Sequence, residues 1–440
     1  MGKTVFYNSF ITLLRQAFSL LFGLLAVVLI ARVLGSDSQG QYTLTILLPT
    51  ILYTLFNSGI SISTVYFIGQ NKYSDKIIYS TNIISGLILS LISFFVGVVL
   101  ILFFKDYFFE NTTTVLLLYS LVLIPILFLQ RTIQSFFHAK ENYEQLNVVA
   151  LLNQLGLLLF SILFVWYLDL GVAGAVLSFS LSQFLMLVVS CLIMHFRYDL
   201  FLPKLFSINY LKESLFFGLK GHFSNVLTFI SYRIDILLIA YFIDDMAVGI
   251  YSISVLLVER IWLISQSVSS VLFARVSNLT TEIQKTNFTI LSSRNTLFLT
   301  TIFGLIISLI SPWLIITLFG IEYQPSIKPF LYMLPGVVLF SLSKILSNDF
   351  VGRGKPQINS YIGLIVALLN VLLNIVLIPK YGVIGAAIST SFCYGIDALI
   401  KVIYFSSLYK ISLLKFVLVN KADINLYKTN FIFLLNAFKK

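Results

Sequence analysis

Apolar residues recur along this chain in blocks too long for a buried strand, and short polar breaks separate the blocks. A helix crosses a bilayer with about 20 mostly apolar residues. On that criterion the first half predicts spans near Ile11–Leu34, Thr43–Ile68, Ile83–Phe104, Val115–Phe137, Val148–Leu168 and Val172–Phe196. A longer polar stretch follows. The second half predicts spans near Ser214–Ile243, Ala247–Ala274, Thr296–Phe319, Ile327–Asn348, Tyr361–Ile378 and Val383–Leu408. Lipid-exposed sheet edges are forbidden and the period-2 alternation of a barrel is absent, so the spans are helices. The expected fold is an all-α polytopic membrane protein of about twelve transmembrane helices. We expect an N-terminal lobe at 1–204, a C-terminal lobe at 205–410 and a cytoplasmic tail at 411–440. The tail's apolar patches, Phe416–Val419 and Phe431–Phe438, are too short to span; an amphipathic helix or a disordered segment suits them better.

Composition removes the soluble alternatives. With 58% apolar and 11% charged residues and a mean hydropathy of +0.97, the chain has too little polar surface for a water-soluble domain. Its net charge of +11 is not a nucleic-acid footprint, because the cations lie in loops between apolar runs and not on one soluble face. Cys191 and Cys393 lie inside apolar runs without metal-ligand spacing and read as small apolar filler. The first run has no small-residue cleavage pattern and reads as an uncleaved signal anchor.

The lysines and arginines set an expected orientation. With the N-terminus inside, the inward loops carry Lys3, Lys72, Lys76, Lys140, Arg197, Lys204, Lys212, Arg275, Lys285, Arg294, Arg353, Lys355 and the lysines from Lys410 on. The outward loops carry only Arg32, Lys105, Lys328 and Lys380. This bias predicts both termini in the cytoplasm.

The halves repeat. Gly40-Gln41-Tyr42-Thr43 answers Gly249-Ile250-Tyr251-Ser252, and Gly171-Val172-Ala173-Gly174-Ala175 answers Gly382-Val383-Ile384-Gly385-Ala386. Six spans per copy give the copies the same orientation, which predicts two lobes around a central cavity. The glycines themselves read first as tight turns and close backbone packing.

With those residues in view, Ala31-Arg32-Val33-Leu34-Gly35, the stretch from Asp235 to Tyr251, and Gly352-Arg353-Gly354-Lys355-Pro356 through Ile378-Pro379-Lys380-Tyr381-Gly382-Val383-Ile384-Gly385-Ala386-Ala387 resemble polysaccharide exporters. The chain resembles Wzx-type O-antigen and capsule repeat-unit flippases of the multidrug/oligosaccharidyl-lipid/polysaccharide exporter superfamily, over nearly its whole length. That resemblance implies alternating access in the bacterial cytoplasmic membrane, with an undecaprenyl-pyrophosphate-linked oligosaccharide as substrate. It implies a transporter and not an enzyme, with polysaccharide polymerase and chain-length machinery as expected partners and nucleic acid as none.

Ionisable residues inside spans are the candidate chemistry, since each is disfavoured by about 2.5–3.5 kcal/mol at a helix centre. The cations are Arg15, Arg131, Lys220, Arg233, Arg260, Lys344 and Lys401; the acids, Asp235, Glu259, Asp349 and Asp397, are all in the second half. Arg260, Arg131, Lys401, Arg15 and Lys220 lie about 14 to 22 residues from the outer ends of their spans, which at ~1.5 Å per residue makes a belt from mid-bilayer inward. A pyrophosphate lipid entering from the cytoplasm would meet it. Arg15, Arg131 and Arg260 lead, because a guanidinium grips phosphate oxygens in a planar fork. The competing reading is that these side chains snorkel to the interface, or that Arg260 joins a structural pair through its neighbour Glu259. Buried amides such as Asn57, Gln130, Gln134, Asn153, Gln154 and Gln183 read as interhelical hydrogen-bond formers.

A second set lies at one depth: Asp235, Asn370, Asn374, Ser389 and Thr390. Oxygen ligands there suit a hard monovalent cation. The resemblance implies a sodium site among the seventh, eleventh and twelfth helices, although Ile378 stands near where relatives carry an acidic ligand. Na+ or H+ is the expected coupling ion, with no other cofactor. Asp235 equally fits a structural pair with a cation such as Arg233. Multidrug export is the alternative function, but a cationic drug is better served by carboxylates in the first half, which has none within its spans. A glycosyltransferase or polymerase would need larger polar loops with catalytic carboxylates or histidines.

Overall fold

The computed structural model describes residues 2–200 and 203–418. Among the described residues there is no strand. Helices α1 (Gly2–Phe56), α2 (Ile60–Gln70), α3 (Asp75–Phe108), α4 (Thr114–Ser120), α5 (Leu123–Ala139), α6 (Tyr143–Ser161) and α7 (Gly171–Tyr198) make up the first half. The second half holds α8 (Ile208–Phe242), α9 (Asp245–Glu259), α10 (Trp262–Asn278), α11 (Glu282–Phe319), α12 (Ile327–Gly352) and α13 (Gln357–Tyr409). Nine described segments are long and apolar enough to cross a membrane, and the pair α9 and α10, bent by 44°, makes a tenth if it is one span. The protein is therefore an all-helical, multi-pass membrane protein. Most of the expected tail, from 419 on, lies outside the described residues; its beginning forms a short 3-10 turn at Leu413–Phe416 whose Phe416 is fully buried.

Two of the expected inter-span turns are single glycines. α1 breaks at Gly35 (φ 75°, ψ 175°) and α13 at Gly382 (φ 60°, ψ −141°), dihedrals open to glycine but not to residues with a Cβ. Each arm is long enough to span on its own. The first turn thus falls five residues before Gly40, the residue that marks it in the repeat. The N–H groups freed at the Gly35 break need an acceptor. Glu322 supplies one, its carboxylate 3.4 Å from the Ser36 N–H, while the Tyr323 hydroxyl donates to the Ala31 carbonyl at 3.1 Å.

The repeat has a physical basis in both copies. Gly171 and Gly382 take positive φ, of 57° and 60°. Three residues on, a Cβ on Gly174 would lie 2.6 Å from the Phe164 carbonyl oxygen, and one on Gly385 would lie 2.2 Å from that of Leu377. The first glycine turns the chain and the second lets the two helices meet backbone to backbone.

The described chain divides into two compact units, one running to Ser252 and including Ile316–Tyr323, the other comprising Ile253–Ile315 and the described residues from Gln324 on. In the first unit Phe67, Phe136, Phe137 and Tyr210 anchor a core joining α2, α3, α5 and α8. A polar knot stitches α2, α3 and α8, with Ser63 and Ser214 hydroxyls 2.6 Å apart and the Asn82 amide donating to Thr64 at 2.9 Å and Tyr210 at 3.0 Å. In the second unit Leu346, Phe350, Phe405 and Phe416 play the corresponding part for α12, α13 and the segment after it.

Candidate functional site

The expected cations differ sharply in what the fold gives them. In the first unit, Arg15 on α1 reaches Glu144 in the first turn of α6, with both terminal nitrogens 3.3–3.4 Å from Oε1. The pair is open to solvent on its acidic side, where Glu144 is 65% exposed. Arg131, on α5, is exposed and donates to the amide oxygen of Gln134, one turn on, at 3.3 Å. Among the described residues no carboxylate pairs with it. Lys220, on α8, is exposed and lies over the ring of Phe216 at 4.3 Å.

In the second unit Arg260 occupies the break between α9 and α10, where the helical hydrogen bonds give way to a turn in which its N–H donates to the Leu257 carbonyl at 3.2 Å. Among the described residues its guanidinium has no ion pair. Lys401 is the opposite case. It is 5% exposed, and its ammonium donates to Asp397 Oδ1 at 2.7 Å and Ser343 Oγ at 2.8 Å. Ser343 in turn donates to both oxygens of Asp397, at 3.1 and 3.2 Å. This triad closes α12 onto α13 and leaves Lys401 already neutralised.

A second clamp ties the end of α12. The Arg353 guanidinium, its side chain 3% exposed, donates to Asp349 at 2.7 Å and to Thr286 at 3.3 Å, pairs with Glu282, and stacks on Tyr409 at 4.4 Å. Asp349 is fully buried and also accepts from Thr289 at 2.6 Å. The Gly-Arg-Gly-Lys-Pro stretch therefore contributes a structural lock through its arginine.

The expected ion ligands divide between the two units, Asp235 in the first and Asn370, Asn374 and Thr390 in the second. Asp235 is 1% exposed, and its carboxylate accepts the Tyr251 hydroxyl and, at 2.9 Å, the Ile236 N–H. On α13 the Asn374 amide donates to Asn370 Oδ1 at 3.1 Å, and Ser389 donates to the Asn370 carbonyl at 3.4 Å. Asn374 Oδ1, fully buried, has no hydrogen-bond partner. That orphaned oxygen, with the neighbouring hydroxyls, fits a hard monovalent cation; among the described residues no three His, Cys, Asp or Glu side chains gather as a metal site.

Sequence reasoning counted Asp397, Asp349 and Arg353 but missed their pairings. The signal was present, since Asp397/Lys401 and Asp349/Arg353 each stand four apart, the spacing that stacks side chains on one helix face. It also expected the span amides to bridge helices. Asn57 instead turns back on its own segment, accepting from the Gly59 N–H at 3.0 Å, whereas Gln134 does bridge α5 to α7, its amide donating to Met186 Sδ at 3.9 Å, and Asn82, which was not expected, joins α3 to α8.

Residues 5–280 match the sequence profile of the polysaccharide biosynthesis protein family. The chain belongs to that family. Among curated proteins it is 24% identical over 204 residues, 45% of this chain and 41% of the other, to a Haloferax volcanii protein named as a probable low-salt glycan biosynthesis flippase, Agl15. It is 44% identical over 61 residues, 14% of this chain and 12% of the other, to an uncharacterized membrane protein of Methanocaldococcus jannaschii. The chain spans less than half the length of these curated relatives. Among solved structures this family member resembles the lipid II flippase MurJ in an inward closed conformation, with a TM-score of 0.78 and 18% identity over 92% of this chain and 89% of that one. It also resembles an inward-facing multidrug resistance MATE transporter of the MOP superfamily, with a TM-score of 0.70 and 17% identity over 91% and 99%. At these identities the likeness is one of fold. The all-helical membrane fold is thus one shared with MOP transporters, as the resemblance implied, and the proteins sharing it are named for transport and not for catalysis.

Proposed function

We propose that this protein is a flippase that carries undecaprenyl-pyrophosphate-linked oligosaccharide repeat units across a bacterial cytoplasmic membrane for surface polysaccharide synthesis. The observation that carries the reading is a pair of intramembrane arginines, Arg131 and Arg260, for which the described residues provide no carboxylate partner. An arginine kept in a span without an anion is disfavoured unless it meets one during the cycle. A pyrophosphate diester brings about two negative charges and matches the guanidinium fork. Arg15 and Lys220 extend the same contact, since each holds only a solvent-accessible or ring partner. Family membership and the MOP-type fold support the substrate class.

Taking the arms of α1 and α13 as separate spans supports about twelve crossings, and with them we propose alternating access between two lobes and cytoplasmic termini. In that orientation the substrate's charge moves outward with the membrane potential, a gain of ~2.3 kcal/mol per charge per 100 mV. Na+ held by Asn370, Asn374 and Thr390 is the coupling ion we favour, and H+ the other. Export of a cationic drug by the same fold is the second reading, but the cation-rich spans repel such a cargo.

Deleting the gene should remove surface polysaccharide and accumulate lipid-linked repeat units on the cytoplasmic face, because synthesis continues after translocation stops. Normal display in a strain with no other flippase would exclude the proposal. Reporter fusions after Lys76, Lys140, Lys204, Lys285 and Lys355 should report cytoplasm, and fusions near Asp106 and Asp244 the outside; reversal at two of these sites would overturn the orientation.

A further inference from the structure

Where the first repeat runs on into the second, the first unit forms a cavity that the transport reading does not use. It has a volume of about 370 Å³ and is lined from α3 by Lys76 and Ser80, from the end of α7 by His195 and Asp199, and from the link into α8 by Lys204 and Leu205. Its floor is fixed. Ser80, which is buried, accepts the Lys204 N–H at 3.2 Å, and Thr81 accepts the Ser207 N–H at 3.1 Å, so the link is pinned along α3. Leu200, also buried, joins the core that holds Met194 and Tyr210. The lysines at this end are not equally engaged. Lys72 holds Glu213 at 2.7 Å and Lys140 holds Asp75 at 2.6 Å. Lys76 stands 3.5 Å from Asp199, whose side chain is 89% exposed. Lys204 is exposed, and among the described residues its ammonium has no ion pair. Two ammonium groups thus face one loosely held carboxylate, and beside them Leu205, Phe206 and Ile208 are exposed apolar side chains.

We propose that this cavity binds the headgroup phosphate of an anionic phospholipid, with Lys76 and Lys204 on the phosphate and the acyl chains leaving across Leu205 and Phe206. The site goes beyond the flippase reading and does not depend on it. In the orientation proposed above the cavity lies on the cytoplasmic side, where basic pockets at helix ends attract anionic headgroups. Ammonium groups from two separate elements give the phosphate oxygens charge-assisted hydrogen bonds. Asp199 yields readily, because an exposed ion pair contributes little. A phosphate ion from water would satisfy the lysines and leave the apolar rim uncovered, whereas a lipid answers both. Bound there, the phosphate would tie α3 to the link between the repeats.

The test uses the full-length protein in phosphatidylcholine nanodiscs doped with phosphatidylglycerol that carries a diazirine in its headgroup, and mass spectrometry maps the photolabelled peptides. Labelling should concentrate on the peptides that hold Lys76 and Lys204. Unlabelled phosphatidylglycerol should compete, while phosphatidylcholine and millimolar inorganic phosphate should not. Lys76→Gln with Lys204→Gln should cut labelling of both peptides about fivefold or more at an unchanged thermal midpoint, and Lys76→Arg with Lys204→Arg should keep most of it. Asp199→Asn removes the competing carboxylate and keeps a side chain that tolerates the left-handed backbone, so labelling should rise about twofold. Labelling of the Gln pair within about twofold of the parent, or no rise in Asp199→Asn, would overturn the site. Should the Gln pair lower the midpoint, the Asp199→Asn result decides alone. Competition by inorganic phosphate as strong as by the lipid would also overturn the proposal, since the occupant would then be a bare anion.

Discussion

Arg131 in the first unit and Lys401 in the second are both cations inside apolar helices, yet the fold treats them oppositely. Lys401 is enclosed, with a carboxylate 2.7 Å away and a serine completing the triad. Arg131 is exposed and holds one amide contact at 3.3 Å. The difference separates charge that maintains the structure from charge held ready for a ligand. A buried pair contributes little net stability when intact and a great deal of instability when halved. An accessible cation does the reverse: its removal should disturb function and leave the fold.

The largest expected effect sharpens that contrast. Asp397→Ala should destabilise the protein by about 3–5 kcal/mol, because Lys401 is left buried and unpaired. Membrane abundance and the thermal midpoint of the purified protein should fall, and the double change Asp397→Leu with Lys401→Leu should recover much of both. Equal stability of the single and double variants would show that the triad is not a closed unit.

Next come the repeated glycines. Gly385→Ala places a methyl 2.2 Å from a backbone oxygen of Leu377, so the helices must separate; overpacking of this kind is worth about 1–3 kcal/mol. Gly171→Ala meets nothing within 4 Å and pays only for its positive φ, about 1 kcal/mol. Thermal unfolding of the two variants side by side should preserve that order.

Arg15→Gln should be the mildest for stability. Its partner Glu144 is mostly exposed, so the loss should be under about 1 kcal/mol, read as an unchanged midpoint within a degree or two. Transport should nonetheless drop, which a purely structural role would not produce.

These contrasts also mark what could be read before the structure. The all-helical membrane fold followed from run length alone, because lipid leaves backbone groups no other solution. The repeat was legible because Gly171/Gly174 and Gly382/Gly385 answer one backbone requirement twice. The pairing of charges was only half legible. Asp397 and Lys401 advertise themselves by spacing, but Arg15 with Glu144 joins residues 129 apart. Turn positions were displaced for a similar reason: Gly35 and not Gly40 carries the positive φ, while Gly40 is needed because a Cβ there would lie 1.7 Å from the Asp245 carbonyl oxygen. Sequence distinguishes a glycine that turns from one that touches only when the partner backbone is known.

The most direct test of the central claim is complementation of a flippase-null strain by Arg131→Gln, with membrane abundance measured in parallel. A neutral amide keeps hydrogen-bonding capacity and loses the charge. The account predicts wild-type abundance with polysaccharide display strongly reduced, and partial display from Arg131→Lys, which keeps the charge without the planar fork. Wild-type display from Arg131→Gln at wild-type abundance would contradict it.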